Sequence, residues 1–105
     1  MIDGLDPTIH APKRLAAMAV LDNSMSTSFR FLAEHLRISA SDLSKHMSAL
    51  EAAGYVTVRK DGRGRGATTT FSLTADGRRA YTAHRAALRA LLDESPTDVS
   101  GGAGR

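Results

Sequence analysis

Ser39-Ala40-Ser41-Asp42-Leu43-Ser44-Lys45-His46-Met47-Ser48-Ala49-Leu50-Glu51-Ala52-Ala53-Gly54-Tyr55-Val56 is the stretch on which the fold turns. Ser39 and Asp42 have the spacing of a capping box, with Asp in the place of the usual Glu. Leu43, Met47 and Leu50 recur at i, i+4 and i+7, which predicts a helix over 40–53 with one buried face. Gly54 supplies the left-handed stop expected after it. The opposite face presents Ser41, Ser44, Lys45, Ser48 and Ala52, and is small, polar and basic. Residues 55–59 and 68–73 then alternate like two strands. Between them lies Asp61-Gly62-Arg63-Gly64-Arg65-Gly66, a glycine-rich basic tip.

Working outward, Ile9, Leu15, Met18, Ala19 and Leu21 suit a helix over 9–21, with Pro12 tolerated in its first turn. Asp22-Asn23-Ser24 ends it. Polar residues 26–28 open a second short helix, in which Phe29, Leu32, Ala33 and Leu36 recur at spacings of three and four. Residues 37–39 make a tight connection. Thr74-Ala75-Asp76 caps a last helix running to about residue 93. Its Tyr81, Leu88, Leu91 and Leu92, interleaved with alanines, exceed what one small domain covers, which predicts a seam for a second copy. Residues 1–8 read as a flexible lead-in. Residues 94–105, rich in Ser, Gly and Pro, read as a disordered tail. The order of helix, helix, helix, strand, basic loop, strand, helix defines an α+β, mainly α fold over residues 9–93. It is a winged helix-turn-helix, with a three-helix core, a β-hairpin wing and a long C-terminal dimerisation helix.

Composition narrows the function. A chain of 105 residues makes one domain. At this size only roughly 60–70% of the unfolded surface is buried, so a partner subunit adds usefully to stability. The net charge is +3 and the pI about 9.8. Residues 59–65 concentrate Arg59, Lys60, Arg63 and Arg65 against Asp61 alone, which points to a polyanion. Without cysteine there is no disulfide, thiolate metal site or thiol switch. No apolar run approaches the roughly 18 residues needed to span a bilayer, and no cleavable leader is evident, so a cytoplasmic, nucleoid-associated protein is expected. His10, His35, His46 and His84 are scattered, and no serine sits in a nucleophile-elbow context, so neither an enzyme, a metal site nor a cofactor is expected.

With this order in hand, the chain resembles the winged-helix transcriptional regulators of the MarR and ArsR superfamily, and most of all their compact single-domain group. The resemblance covers residues 5–92. It rests on Leu5-Asp6-Pro7-Thr8-Ile9-His10-Ala11-Pro12-Lys13-Arg14-Leu15, on residues 42–56 of the opening stretch, and on Phe71-Ser72-Leu73-Thr74-Ala75-Asp76-Gly77-Arg78. It implies that the third helix reads a major groove and that the loop after it is the wing. It implies also that the first and last helices form a two-fold interface, through Ile9, Leu15, Tyr81, His84, Leu88, Leu91 and Leu92. The chain lacks the cysteine ligands of the metal-sensing branch and the long flanks of the drug-responsive regulators, and whether it has a small-molecule effector is left open.

The candidate contacts follow. Lys45 is placed to reach guanine O6/N7 or a phosphate. Ser41, Ser44 and Ser48 let the helix approach the groove floor and donate to phosphates or bases. Ser39 is a cap whose helix N-terminus also favours a phosphate. His46 borders both faces, and a structural histidine and a phosphate donor remain alternatives. In the wing, Arg59, Lys60, Arg63 and Arg65 are the candidates. Arg63 and Arg65 suit either a narrow minor groove or phosphates. The function expected is a homodimeric, sequence-specific repressor on a pseudo-palindromic double-stranded operator. A non-specific architectural protein and a winged-helix protein-interaction module are the alternatives.

Overall fold

A residue preceding proline is pushed toward extended backbone, and Ala11 lies at φ −92°, ψ 129°. Helix α1 (Pro12–Asp22) therefore begins at the proline and not at Ile9. The structure, a computed structural model, describes residues 4–64 and 67–93. After α1 come β1 (Thr27–Ser28), α2 (Phe29–Leu36), α3 (Ala40–Ala52), β2 (Val56–Asp61), β3 (Thr68–Leu73) and α4 (Ala75–Asp93). The expected disordered tail and Arg65 lie outside the described residues.

The sheet is antiparallel with order β1-β3-β2. Phe71 is its centre, facing Val58 on one side and Thr27 on the other. Strand β1 is an addition to the sequence reading, because two residues are too short to show a period of two. Ser28 belongs to it and also caps α2, its Oγ accepting from Phe31 N–H at 3.0 Å. Under the sheet the three helices meet on Met18, Leu21, Leu32, Leu43 and Leu50, all fully buried. Helix α4 is tied back to the end of α1 by Arg78, which donates to the Asp22 carboxylate (2.8 Å) and carbonyl (3.1 Å).

Two readings are corrected. From Gly4 on, the lead-in is folded: Ile9 and His10 N–H both donate to Asp6 O, and Thr8 N–H donates to Asp6 Oδ1 at 2.9 Å. An Asp-Pro start with the carboxylate capping two residues on makes such a turn. Secondly, Ile9, Tyr81 and His84 are buried within the single chain, at 0%, 7% and 0% exposure. They are core residues and offer no surface to a second copy. Leu15 is half-buried against the same core. Leu88 and Leu91 are half-buried, Leu92 is 67% exposed, and none of the three joins the core cluster. Among the described residues no helix is long and apolar enough to cross a membrane.

Candidate nucleic-acid interface

Both ends of α3 are fixed by the residues expected to fix them. Ser39 Oγ accepts from Asp42 N–H at 3.1 Å. At the other end Gly54 turns left-handed (φ 81°), Tyr55 N–H donates to Leu50 O (3.0 Å) and Gly54 N–H to Glu51 O (2.9 Å). These are the two bonds of a Schellman stop. Leu43, Met47 and Leu50 are buried, and Ser41, Ser44, Lys45 and Ser48 are exposed along the other side. The polar stripe is continuous.

The capping box is only half formed. The Asp42 carboxylate turns away to α1, accepting from Lys13 Nζ at 2.6 Å and approaching His46 Nε2 at 3.3 Å. The hydrogen bond from Lys13 is the main reason that the Asp42 pKa is lowered from its ordinary value. His46 in turn accepts from Arg14 Nε on Nδ1 at 3.1 Å. With Nδ1 accepting, the ring proton sits on Nε2, toward Asp42. Both nitrogens are thus engaged by neighbours, and the side chain is only 15% exposed. His46 braces α3 against α1 and leaves the set of candidate groove contacts. Arg14, its partner, and Lys13, the partner of Asp42, have no role in the sequence reading.

The period of two divides the wing. Val58 and Lys60 turn toward α3, while Thr57, Arg59 and Asp61 turn to the opposite face. A groove of about 240 Å³ separates helix from wing, with Ser44, Ser48 and Glu51 on one bank and Lys60 and Thr69 on the other. Met47, Phe29 and Phe71 form its apolar floor. Arg59 lies on the far side of the sheet and pairs with Asp61 at 3.2 Å, so it too is removed from the surface shared with α3. The alternation through Val58 is the signal that separates Lys60 from Arg59. Glu51 is a groove residue that the sequence reading missed. Arg63 is exposed at the tip between Gly62 (φ 84°) and Gly64 (φ 54°).

A polar recognition stripe, a braced helix and a basic hairpin define a winged-helix nucleic-acid binder. The chain matches the sequence model of the winged helix DNA-binding domain over residues 13–92, and it belongs to that family. It is similar in structure to a transcriptional regulator homologue from Pyrococcus horikoshii OT3, with 23% identity, TM-score 0.80, and coverage of 88% of this chain and 91% of that one. It is similar as well to a possible transcriptional regulator for arsenical resistance, with 32% identity, TM-score 0.60, and coverage of 90% and 84%. A third likeness is to the homodimeric winged helix-turn-helix DNA-binding domain Mb0332 from Mycobacterium bovis, a possible ArsR-family regulator. That one is 15% identical, with TM-score 0.70 and coverage of 87% and 81%. No curated protein matches the chain.

Proposed function

We propose that this protein is a homodimeric, sequence-specific regulator of transcription that represses by occupying a pseudo-palindromic operator in cytoplasmic DNA. It does no chemistry on its ligand. The observation that carries the reading is the exposed stripe of Ser41, Ser44, Lys45 and Ser48 on α3, of which Ser44 and Ser48 face Lys60 across the groove, while His46 is held against α1 by Arg14. A helix with so small a polar face approaches a major-groove floor closely, and Lys45 reaches guanine or a phosphate beside it. Lys60 and Arg63 then meet the neighbouring backbone. The exposed Leu92 and half-buried Leu88 and Leu91 on α4, all outside the core cluster, give the second copy its seat, a reading that the homodimeric state of the Mb0332 domain supports. Two recognition helices about 34–36 Å apart address successive major grooves on one side of the duplex.

Selection of duplexes from random-sequence DNA, followed by salt titration, tests this. Lys45→Ala is expected to cost about 1–3 kcal/mol on the selected duplex. Lys60→Ala with Arg63→Ala is expected to reduce the slope of log K against log salt by about 1.8, near 0.9 for each phosphate no longer neutralised. A selected-to-random affinity ratio near one would make the protein architectural. No binding at low salt would make it a protein-interaction module.

A further inference from the structure

The exit of α3 is pinned to the first turn of α4 from one direction. Thr74 N–H donates to Tyr55 O (3.0 Å), Thr74 Oγ1 donates to Gly54 O (2.6 Å), and Gly77 packs directly on the Tyr55 carbonyl. These bonds all fall at one end of α3. Helix α4 otherwise packs on α1, where Arg78 holds Asp22, and on β3 rather than along α3, so a second direct link between the two helices has to come from elsewhere.

Residues 4–10 supply it. Tyr55 Oη donates to Asp6 Oδ2 at 2.5 Å. The backbone N–H of the same Asp6 donates to Nδ1 of His84, about two turns beyond Gly77 on α4. Gly4 lies against Ala87 one turn further, where an added Cβ would sit 3.2 Å away. Two residues on from Asp6, Thr8 O accepts from Arg14 NH1 at 3.1 Å, and Arg14 Nε donates to His46 in the middle of α3. One short turn therefore grips α4, the exit of α3 and, through Arg14, its central part. Charge assists the central bond, since a carboxylate accepting from a phenol makes the stronger kind of hydrogen bond.

We infer that this N-terminal turn is the clasp that sets the angle of the recognition helix against the dimer helix, with Asp6 and Tyr55 as its positioning residues. Neither lines the groove between α3 and the wing. Resting on the homodimer reading above, the inference assigns them the choice of operator spacing: in a pair joined through α4, the angle of α3 against α4 decides where the two readers fall on the duplex. Adding one base pair between half-sites moves one reader by about 3.4 Å and rotates it by about a tenth of a turn. A firmly held helix rejects such a site, and a pivoting one tolerates it.

The test uses full-length protein and the duplex selected by the wild type from random-sequence DNA, with its centre lengthened or shortened by one and two base pairs. Wild-type affinity is expected to fall at least about tenfold at two added pairs. Tyr55→Phe keeps the half-buried ring and deletes only the hydroxyl, and is expected to flatten that fall to less than about threefold with the salt slope unchanged. A purely structural role would lower the melting temperature and scale all duplexes equally. Asp6→Asn, which keeps Oδ1 to accept from Thr8 N–H and puts an amide NH2 that can donate to Tyr55 Oη in place of Oδ2, is expected to keep a sharper profile than Asp6→Ala. That pair decides the matter if Tyr55→Phe does not fold. A spacing profile as sharp in Tyr55→Phe, or in Asp6→Ala, as in the wild type overturns the clasp and leaves the homodimer reading intact. A wild type indifferent to spacing overturns the homodimer reading, and the clasp's role with it.

Discussion

At Gly77 the chain has no room for a side chain. A Cβ built there would sit 2.0 Å from the Tyr55 carbonyl oxygen and 2.8 Å from its carbon, both of them backbone atoms that no rotamer change can move. Gly77→Ala is therefore expected to destabilise by at least about 2 kcal/mol, lowering the melting temperature by about 8–16 °C in a calorimetric scan. Arg37 presents the converse case. It ends α2 in the left-handed region (φ 57°, ψ 48°), with Ile38 N–H on Ala33 O and its own N–H on Glu34 O. A side chain there costs about 1–2 kcal/mol, while glycine gives back only about 0.4–1 kcal/mol through a freer unfolded chain. Arg37→Gly should stabilise by about 0.5 kcal/mol, visible as a higher urea midpoint at constant m-value.

Among the elements, the pairing of α4 with the N-terminal turn makes stability depend on pH. His84 is buried, its ring centroid lies 5.3 Å from that of His10, and its Nδ1 already accepts from Asp6 N–H. Desolvation first, and then the nearby His10, lower its pKa from 6.5, against a smaller opposing pull from Asp6. The unfolded chain thus takes up this proton near pH 6.5 and the folded chain only at lower pH. Between those values the unfolded state holds more protons, so stability falls as the pH drops below about 6.5, and the loss levels off beneath the folded value. One such site gives at most about 1.4 kcal/mol per pH unit. Urea unfolding between pH 7.5 and 5 should show this slope, and His84→Asn, with an amide oxygen in place of Nδ1, should flatten it. The same element shows what the sequence conceals. The caps of α3 were legible because Ser39 and Gly54 act on neighbours three or four residues away. The clasp was not, because its bonds join residues 49 and 78 positions apart. His46 was half legible: Asp42 lies one turn before it, but Arg14, which completes its engagement, comes from another helix. Arg59 was legible in principle, since Val58 facing the core puts Lys60 on its side and Arg59 on the other.

For the whole molecule, the proposed reader of two half-sites turns on helix α4. Helix α4 does two jobs along its length. Its first half completes the core through Tyr81 and His84, so deleting it would unfold the domain rather than merely part a dimer. Its second half carries Leu88, Leu91 and Leu92 outside the core cluster. The separation allows the two jobs to be tested independently. Leu88→Glu combined with Leu92→Glu places charge in the proposed seam and leaves Tyr81, His84 and the clasp in place. The double variant is expected to keep its circular dichroism spectrum and to sediment as a monomer where the wild type sediments as a dimer. On a duplex with two half-sites, linkage converts the second contact into an intramolecular one, which raises affinity by about 10²–10⁴ over either contact alone. The variant should lose about a hundredfold or more on that duplex and change little on a duplex with one half-site. Equal losses on both duplexes, measured by fluorescence anisotropy, would show that α4 supports the DNA-binding surface directly rather than through a second copy.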